Sequence, residues 1–171
     1  MLVFVWETPI HAPTPACAKI SSMRIIGVDP GARETGIIVR DDTTLLGACV
    51  VTRTKEQPLA GYLHDVLDAI TDYTGELIVV EDVNTPTFHA TDRVIHLYGL
   101  LHTAMVIGAI LAQFPTAQVV SPDGYGSHPL AYYPAELVGN RELRGTGMLR
   151  HTRSAWDISY ALGSNQLLTV R

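Results

Sequence analysis

Cysteine is nearly absent: Cys17 and Cys49 are the only two in 171 residues. A disulfide framework is thereby excluded, and without a CxxC pair or a Cys/His ladder nothing suggests zinc. A reducing, cytosolic setting is the default for such a chain. Charge is sparse too, at 17% of residues, which excludes a charge-rich disordered tail. The charge present leans negative, with 12 Lys and Arg against 17 Asp and Glu and a formal net charge of −5. Coating nucleic acid by bulk positive charge is ruled out, whereas a local basic patch is not. The apolar start Met1–Trp6 has no positive residues before it, and Glu7, Pro9, Pro13 and Pro15 interrupt it well short of a signal-peptide core. No GxSxG or HExxH occurs. Gly31 and Gly36 have the glycine spacing of a phosphate loop, but Ile37-Ile38 follows where Lys and Ser or Thr are required. Gly124-Tyr-Gly126 and Gly145-Thr-Gly147 do not complete a dinucleotide fingerprint.

What the chain does have is apolar residues, 47% of the total, enough for one domain with a substantial core. Met1–Ser22, rich in Pro, Ala and Thr, reads as a loosely ordered extension, and residues 23–171 as a single α/β domain. Val94 to Phe114 runs 21 residues without a formal charge, long enough for a membrane span. It carries His96, Tyr98, His102, Thr103 and Gln113, however, and sits mid-chain between strand-like segments, so a buried helix fits better. Without one continuous polar stripe, that helix calls for a second cover, and a partner subunit is the simplest one. A homodimer through the helix near 94–114, and no membrane partner, are therefore expected.

Periodicity predicts strands at 24–29, 35–40 and 43–52, a helix over 59–73, and a fully apolar strand at 77–81. A long helix over roughly 91–113, a strand at 118–121, a loop-like stretch over 122–150 and a final helix at 152–162 complete the order. In the helix at 59–73, Leu63, Val66, Leu67 and Ile70 face inward and Asp65, Asp68 and Asp72 read as a solvated face.

Three acids stand beside apolar neighbours. Asp29 ends the first strand, Glu81 ends the fourth, and Asp157 lies in the last helix between Trp156 and Ile158. Ionised groups in such places are costly unless paired or metal-bound. If the two strands are neighbours, Asp29 and Glu81 repel, and one is driven neutral unless a cation sits between them. Hard oxygen ligands favour Mg²⁺ or Mn²⁺. Two such ions about 4 Å apart serve phosphodiester cleavage. Each acid also has a plainer reading: Asp29 as a turn former before Pro30-Gly31, Glu81 as an arginine's partner, Asp157 as the partner of Arg153 one turn earlier. Asp82 points to the opposite face of its strand and stands as a reserve ligand.

Gly27-Val-Asp-Pro-Gly31 followed by Thr35-Gly36, then Val79-Val-Glu81, then Ser154-Ala-Trp-Asp157-Ile-Ser-Tyr-Ala161, resembles the three acidic motifs of RuvC-like Holliday junction resolvases. The resemblance implies an RNase H-like fold with a mixed five-stranded sheet flanked by helices. It implies a homodimeric crossover junction endodeoxyribonuclease, active in bacterial or phage recombination and repair, that resolves four-way or branched DNA by paired phosphodiester cleavage. Mg²⁺ is the implied cofactor, two ions per site with Mn²⁺ as substitute, and Asp29, Glu81 and Asp157 match its ligand positions. A further ligand is common one turn before the last acid, where this chain has Ser154. His151, another turn back, is the candidate replacement as ligand or proton carrier, although on a regular helix it points about 120° away from Asp157. The plainer role for His151 is a helix-start or phosphate-contacting histidine.

Arg141, Arg144, Arg150 and Arg153 make a basic stretch before the last helix, opposed only by Glu142, and are the candidate DNA-binding residues. A solvated loop is the alternative. Tyr125, Tyr132 and Tyr133 are candidates for stacking on bases, or for packing at the loop base. Three rival functions remain open. A sugar-kinase or actin-like ATPase needs two such domains, more than residues 23–171 provide. An RNase H-like nuclease of ribosomal precursor RNA would share the motifs. A non-catalytic junction-binding protein would explain Ser154.

Overall fold

The computed structural model describes residues 23–73, 77–83, 97–143 and 149–162, without the Glu142 side chain. The expected extension 1–22, the start of the long helix before Leu97, and Arg144 lie outside the described residues. Strands β1 (Arg24–Asp29), β2 (Glu34–Asp41) and β3 (Thr44–Thr52) form an antiparallel meander. Asp42, with φ 52°, turns β2 into β3 in the left-handed region that Asp tolerates. Helix α1 (Leu59–Asp72) then leads to β4 (Leu77–Glu81), and helix α2 (Leu97–Gln113) precedes β5 (Gln118–Val120). The sheet order is β3-β2-β1-β4-β5, with β4 parallel to both β1 and β5. This is the mixed five-stranded α/β architecture expected from the sequence.

The stretch expected to be loop-like holds 3₁₀ turns at Leu130–Tyr132 and Ala135–Leu137 and a short helix α3 (Asn140–Leu143). The closing helix α4 (Arg150–Ile158) starts two residues earlier than predicted and gives way to turns after Ile158.

Strand alternation sorts the sheet into two faces. Ile26, Val28, Ile78 and Val80 pack against Tyr62, Val66 and Ile70 of α1 and Val106, Ile107 and Ile110 of α2. Ile25 and Val79 face the other way, with Val120, Ile158 and Ala161. Ile38 joins Ala155, Trp156, Tyr133 and Leu137 on that same side. Coverage of both faces explains why β1 and β4 read as unbroken apolar runs. It also assigns the two strand-end acids: Asp29 and Glu81 share parity with Ile25 and Val79 and belong to the α4 face.

Helix α4 lies directly on the sheet. A Cβ built on Gly27 would overlap the Ala155 carbonyl oxygen, and one on Gly36 would overlap the His151 carbonyl. Glycine at both positions is what lets the helix backbone come down. The helix end is clasped by buried Arg40, whose Nε and Nη2 donate to Ser159 Oγ and the Ser159 carbonyl, both at 2.6 Å, while its guanidinium lies 3.7 Å from the Tyr160 ring centroid.

On α2, Leu97, Tyr98, Leu101 and Met105 remain exposed as one stripe beside the buried Val106–Ile107–Ile110 face. Among the described residues no helix is long and apolar enough to cross a membrane. Gly27→Ala is expected to cost at least about 3 kcal/mol, because backbone rather than a movable side chain opposes the new methyl. Thermal denaturation followed by circular dichroism checks this, and an unchanged melting temperature would contradict the close approach.

Candidate active site

The turn after β1 is built around Tyr62 of α1, a fully buried tyrosine. Its hydroxyl donates to the Gly31 carbonyl at 3.0 Å and pairs with Thr35 Oγ1 at 2.7 Å, while the Gly31 N–H donates to Thr35 Oγ1 at 3.3 Å. Three buried polar groups thus satisfy one another, and the end of β1 is fixed against α1.

The β1–β4 register pairs Val28 with Val80, so Asp29 and Glu81 follow side by side at the ends of adjacent parallel strands. Burial, first, and then the neighbouring Asp29 charge and a hydrogen bond with it push the Glu81 carboxyl up to about 7, against a smaller opposing pull from His151. A hydrogen bond between two carboxyl groups needs a shared proton, as the sequence reading of a repelling pair requires.

His151 enters from the first turn of α4. Its Nδ1 lies 2.8 Å from Asp29 Oδ2 and its Nε2 lies 3.4 Å from Glu34 Oε2. Held between two carboxylates, the ring is favoured as imidazolium: the hydrogen bond to Asp29 raises its pKa above the ordinary value and outweighs burial. Asp29, Glu81 and His151 therefore converge, and Glu34 stands behind the histidine.

Asp157 does not join them. Its Oδ2 accepts from the Gly126 N–H at 2.7 Å and from the Tyr133 hydroxyl at 2.9 Å, and that hydroxyl accepts in turn from the His128 N–H at 3.1 Å. Six residues along the helix from His151, Asp157 projects towards the 121–133 segment. Asp82, the reserve candidate, accepts from the Val83 N–H following it at 2.8 Å.

The basic stretch divides. Arg141 on α3 and Arg150 at the start of α4 are exposed, and Arg144 is outside the described residues. Arg153, expected as a DNA contact, is buried against the loop. It is 8% exposed, donates to the Leu137 carbonyl at 3.3 Å and lies 5.7 Å from the Tyr133 ring centroid. A guanidinium so placed supports the loop and is not presented to a phosphate. Two arginines that sequence reasoning passed over stand closer to the acids. Arg33 and Arg53 line a cleft of about 540 Å³ together with Gly31, Glu34 and His151. Glu34 could have been noticed, since it abuts the Thr35-Gly36 motif; Arg53 had no local signal, as only strand pairing brings it there.

Among the described residues, no three His, Cys, Asp or Glu side chains form a ready-made metal coordination group. The donor chemistry nevertheless suits a divalent cation. Asp29 and Glu81 are hard oxygen donors whose proximity favours a proton on Glu81, and a divalent ion would relieve the same repulsion.

No protein-family model and no curated protein sequence matches the chain. Solved structures do. The chain is similar to Thermus thermophilus RuvC in complex with Holliday junction substrate, with 16% identity over 81% of this chain and 92% of that one at a TM-score of 0.54. A second Thermus thermophilus RuvC structure aligns with 18% identity over 86% of this chain and 98% of that one, at a TM-score of 0.52. Fowlpox virus resolvase in complex with substrate Holliday junction DNA aligns with 14% identity over 86% and 100%, at a TM-score of 0.51. At these identities the likeness is one of fold, and the RuvC-like, RNase H-like fold expected from the three motifs is the fold observed.

Both shifted groups bind protons more tightly in the folded chain, which fixes a sign. Glu81 contributes stability that is complete below its ordinary value of 4.5 and is lost as pH rises through about 7. His151 contributes stability present below 6.5 that fades as pH climbs past its raised value. The metal-free protein is therefore expected to melt at a lower temperature at about pH 8 than at about pH 5. Added Mg²⁺ is expected to raise the melting temperature more at the higher pH, where the carboxylate pair is ionised. Thermal melts with Mg²⁺ or EDTA measure both effects, and Glu81→Gln should flatten them.

Proposed function

We propose that this protein is a divalent-metal-dependent endonuclease that cuts four-way or otherwise branched DNA. The observation carrying the reading is the meeting of Asp29, Glu81 and His151 at the ends of two adjacent parallel strands, in a RuvC-like fold. Asp29 and Glu81, with His151 beside them, would hold Mg²⁺ or Mn²⁺. Bound there, such ions supply charge stabilisation for phosphodiester hydrolysis and an activated water. The chain's own groups do the rest. Tyr62 and Thr35 keep the Asp29 turn rigid, so the carboxylate direction is set before substrate arrives. Glu34 orients the His151 ring, and that imidazole carries a proton near the scissile bond. Arg33 and Arg53 on one flank, and Arg150 at the start of α4, receive the phosphate backbone. Asp157 is left to organise the 121–133 segment and is not a ligand in this reading.

Paired cleavage requires two such sites at a fixed spacing. The exposed stripe Leu97, Tyr98, Leu101 and Met105 on α2 is the surface we assign to a second copy of this chain. Leu101→Glu is expected to convert a dimer to a monomer in sedimentation velocity and to turn paired nicks into uncoordinated single ones. A wild-type chain that stays monomeric with junction DNA bound would remove the paired-cut element.

The central test is a nicking assay on a synthetic four-way junction, a linear duplex and a structured RNA, with Mg²⁺ or EDTA. Metal-dependent nicks confined to the junction are expected, with a loss of about a hundredfold or more in Glu81→Gln. Asp157→Asn, which keeps an acceptor for Gly126 and Tyr133, is expected to lose less than Glu81→Gln. Junction binding without cutting in either metal would overturn the catalytic reading, and cutting of RNA alone would overturn the substrate.

A further inference from the structure

A second cleft, of about 1160 Å³, opens on the other side of α4 from Arg33 and Arg53. It lies between the 121–136 segment, the β2–β3 turn and α4, and reaches Asp157. Aromatic rings and carboxylates line it, and no described lysine or arginine does. Tyr132, 71% exposed, stacks on His128 with ring centroids 4.9 Å apart and an interplanar angle of 27°. Tyr125, which lines the cleft, packs against the cluster of Val79 and Val120 at the end of the strand that carries Glu81.

We infer that this cleft takes an unpaired guanine of the strand being cut, stacked on the Tyr132–His128 pair and read by carboxylates. The inference rests on the nuclease reading for its substrate and adds a base subsite to it. Three features of the lining decide the ligand class. Among the described lining residues the charged side chains are Asp123, Glu136 and Asp157, which repel phosphate, so the sugar–phosphate chain stays outside, on the arginine side. Exposed stacked rings offer a π-face to any base, without choosing among bases. Carboxylates choose, because when ionised they only accept hydrogen bonds. Guanine presents two neighbouring donors, N1–H and N2–H, on its pairing edge, matching one carboxylate in bidentate fashion. Thymine presents a single donor flanked by two carbonyl oxygens that a carboxylate repels. Asp157 Oδ2 is already engaged by Gly126 and Tyr133, so Asp123 and Glu136, both exposed at the rim, are the readers.

Calorimetry on the full-length protein in EDTA, with single-stranded trinucleotides carrying a central guanine or a central thymine, separates this from cleavage. Guanine is expected to bind about tenfold tighter or more. Tyr132→Ala should weaken the binding of both trinucleotides, and Tyr132→Phe should keep it. Asp123→Asn combined with Glu136→Gln should reduce the guanine preference, since amides also donate. Equal affinities, binding that Tyr132→Ala leaves undiminished, or tighter binding of an arginine tripeptide than of either trinucleotide would overturn the base subsite. The two readings fail separately. A junction nicked equally whether guanine or thymine flanks the cut leaves the nuclease and removes the subsite. Guanine selectivity in EDTA with no junction cut in Mg²⁺ leaves the subsite and removes the nuclease.

Discussion

The close approach of α4 to β1 and β2 is the contact on which the site depends. Side chains normally hold a helix backbone away from a sheet. Here Gly27 and Gly36 remove them at two points on neighbouring strands, and the backbone of Ala155 and His151 rests in the gaps. Only because the helix sits so low does the first-turn His151 reach Asp29 at the end of β1. Arg40 then fastens the far end of the helix through Ser159 and Tyr160, so the helix is held at both ends. The glycine of the Gly-Val-Asp sequence and the glycine of the Thr-Gly pair thus have a shared physical purpose, though they lie on different strands.

Electrostatics explain why such a site tolerates its own charge. Two carboxyl groups at adjacent strand ends, on a face covered by a helix, cannot both ionise cheaply. Glu81 keeps a proton until about pH 7, and the His151 imidazolium compensates Asp29. The same pair without its proton is a strong attractor for a divalent ion. A proton and a cation would therefore compete for one position.

Much of this was legible in the chain. The apolar runs of β1 and β4 marked strands buried on both faces, which have no room for alternation, while their adjacency entered only as a condition. The apolar stripe of α1 was equally readable, and so was the order of elements. The site was read less completely, since its partners are joined by long-range contacts that local spacing does not encode. Tyr62 was not among the inward residues read on α1, yet its hydroxyl fixes the Asp29 turn across 31 residues of sequence. Arg153 counted as a DNA contact because it sat in a basic stretch, but the fold of residues 133–137 buries it. Asp157 matched a motif of small residues around an acid. Its direction was set by the Gly126 N–H and the Tyr133 hydroxyl, which belong to a segment that read only as loop.

That segment also accounts for Ser154, where the resemblance implied a ligand. Ser154 is 6% exposed and lies under Gly126, so close that a Cβ on Gly126 would come within 3.1 Å of the Ser154 backbone nitrogen. An aspartate at 154 would be pressed against the loop backbone, unable to meet a cation without displacing it. The loop and a ligand at 154 are alternatives. By folding over α4 and bonding to Asp157, the 121–133 segment closes the position one turn from Asp157 and leaves His151, a turn earlier and uncovered by the loop, to face Asp29. Glu34, on the strand opposite, then supplies a carboxylate on the histidine's far side. The 121–133 segment that covers Ser154 is also the one that forms the aromatic cleft with α4.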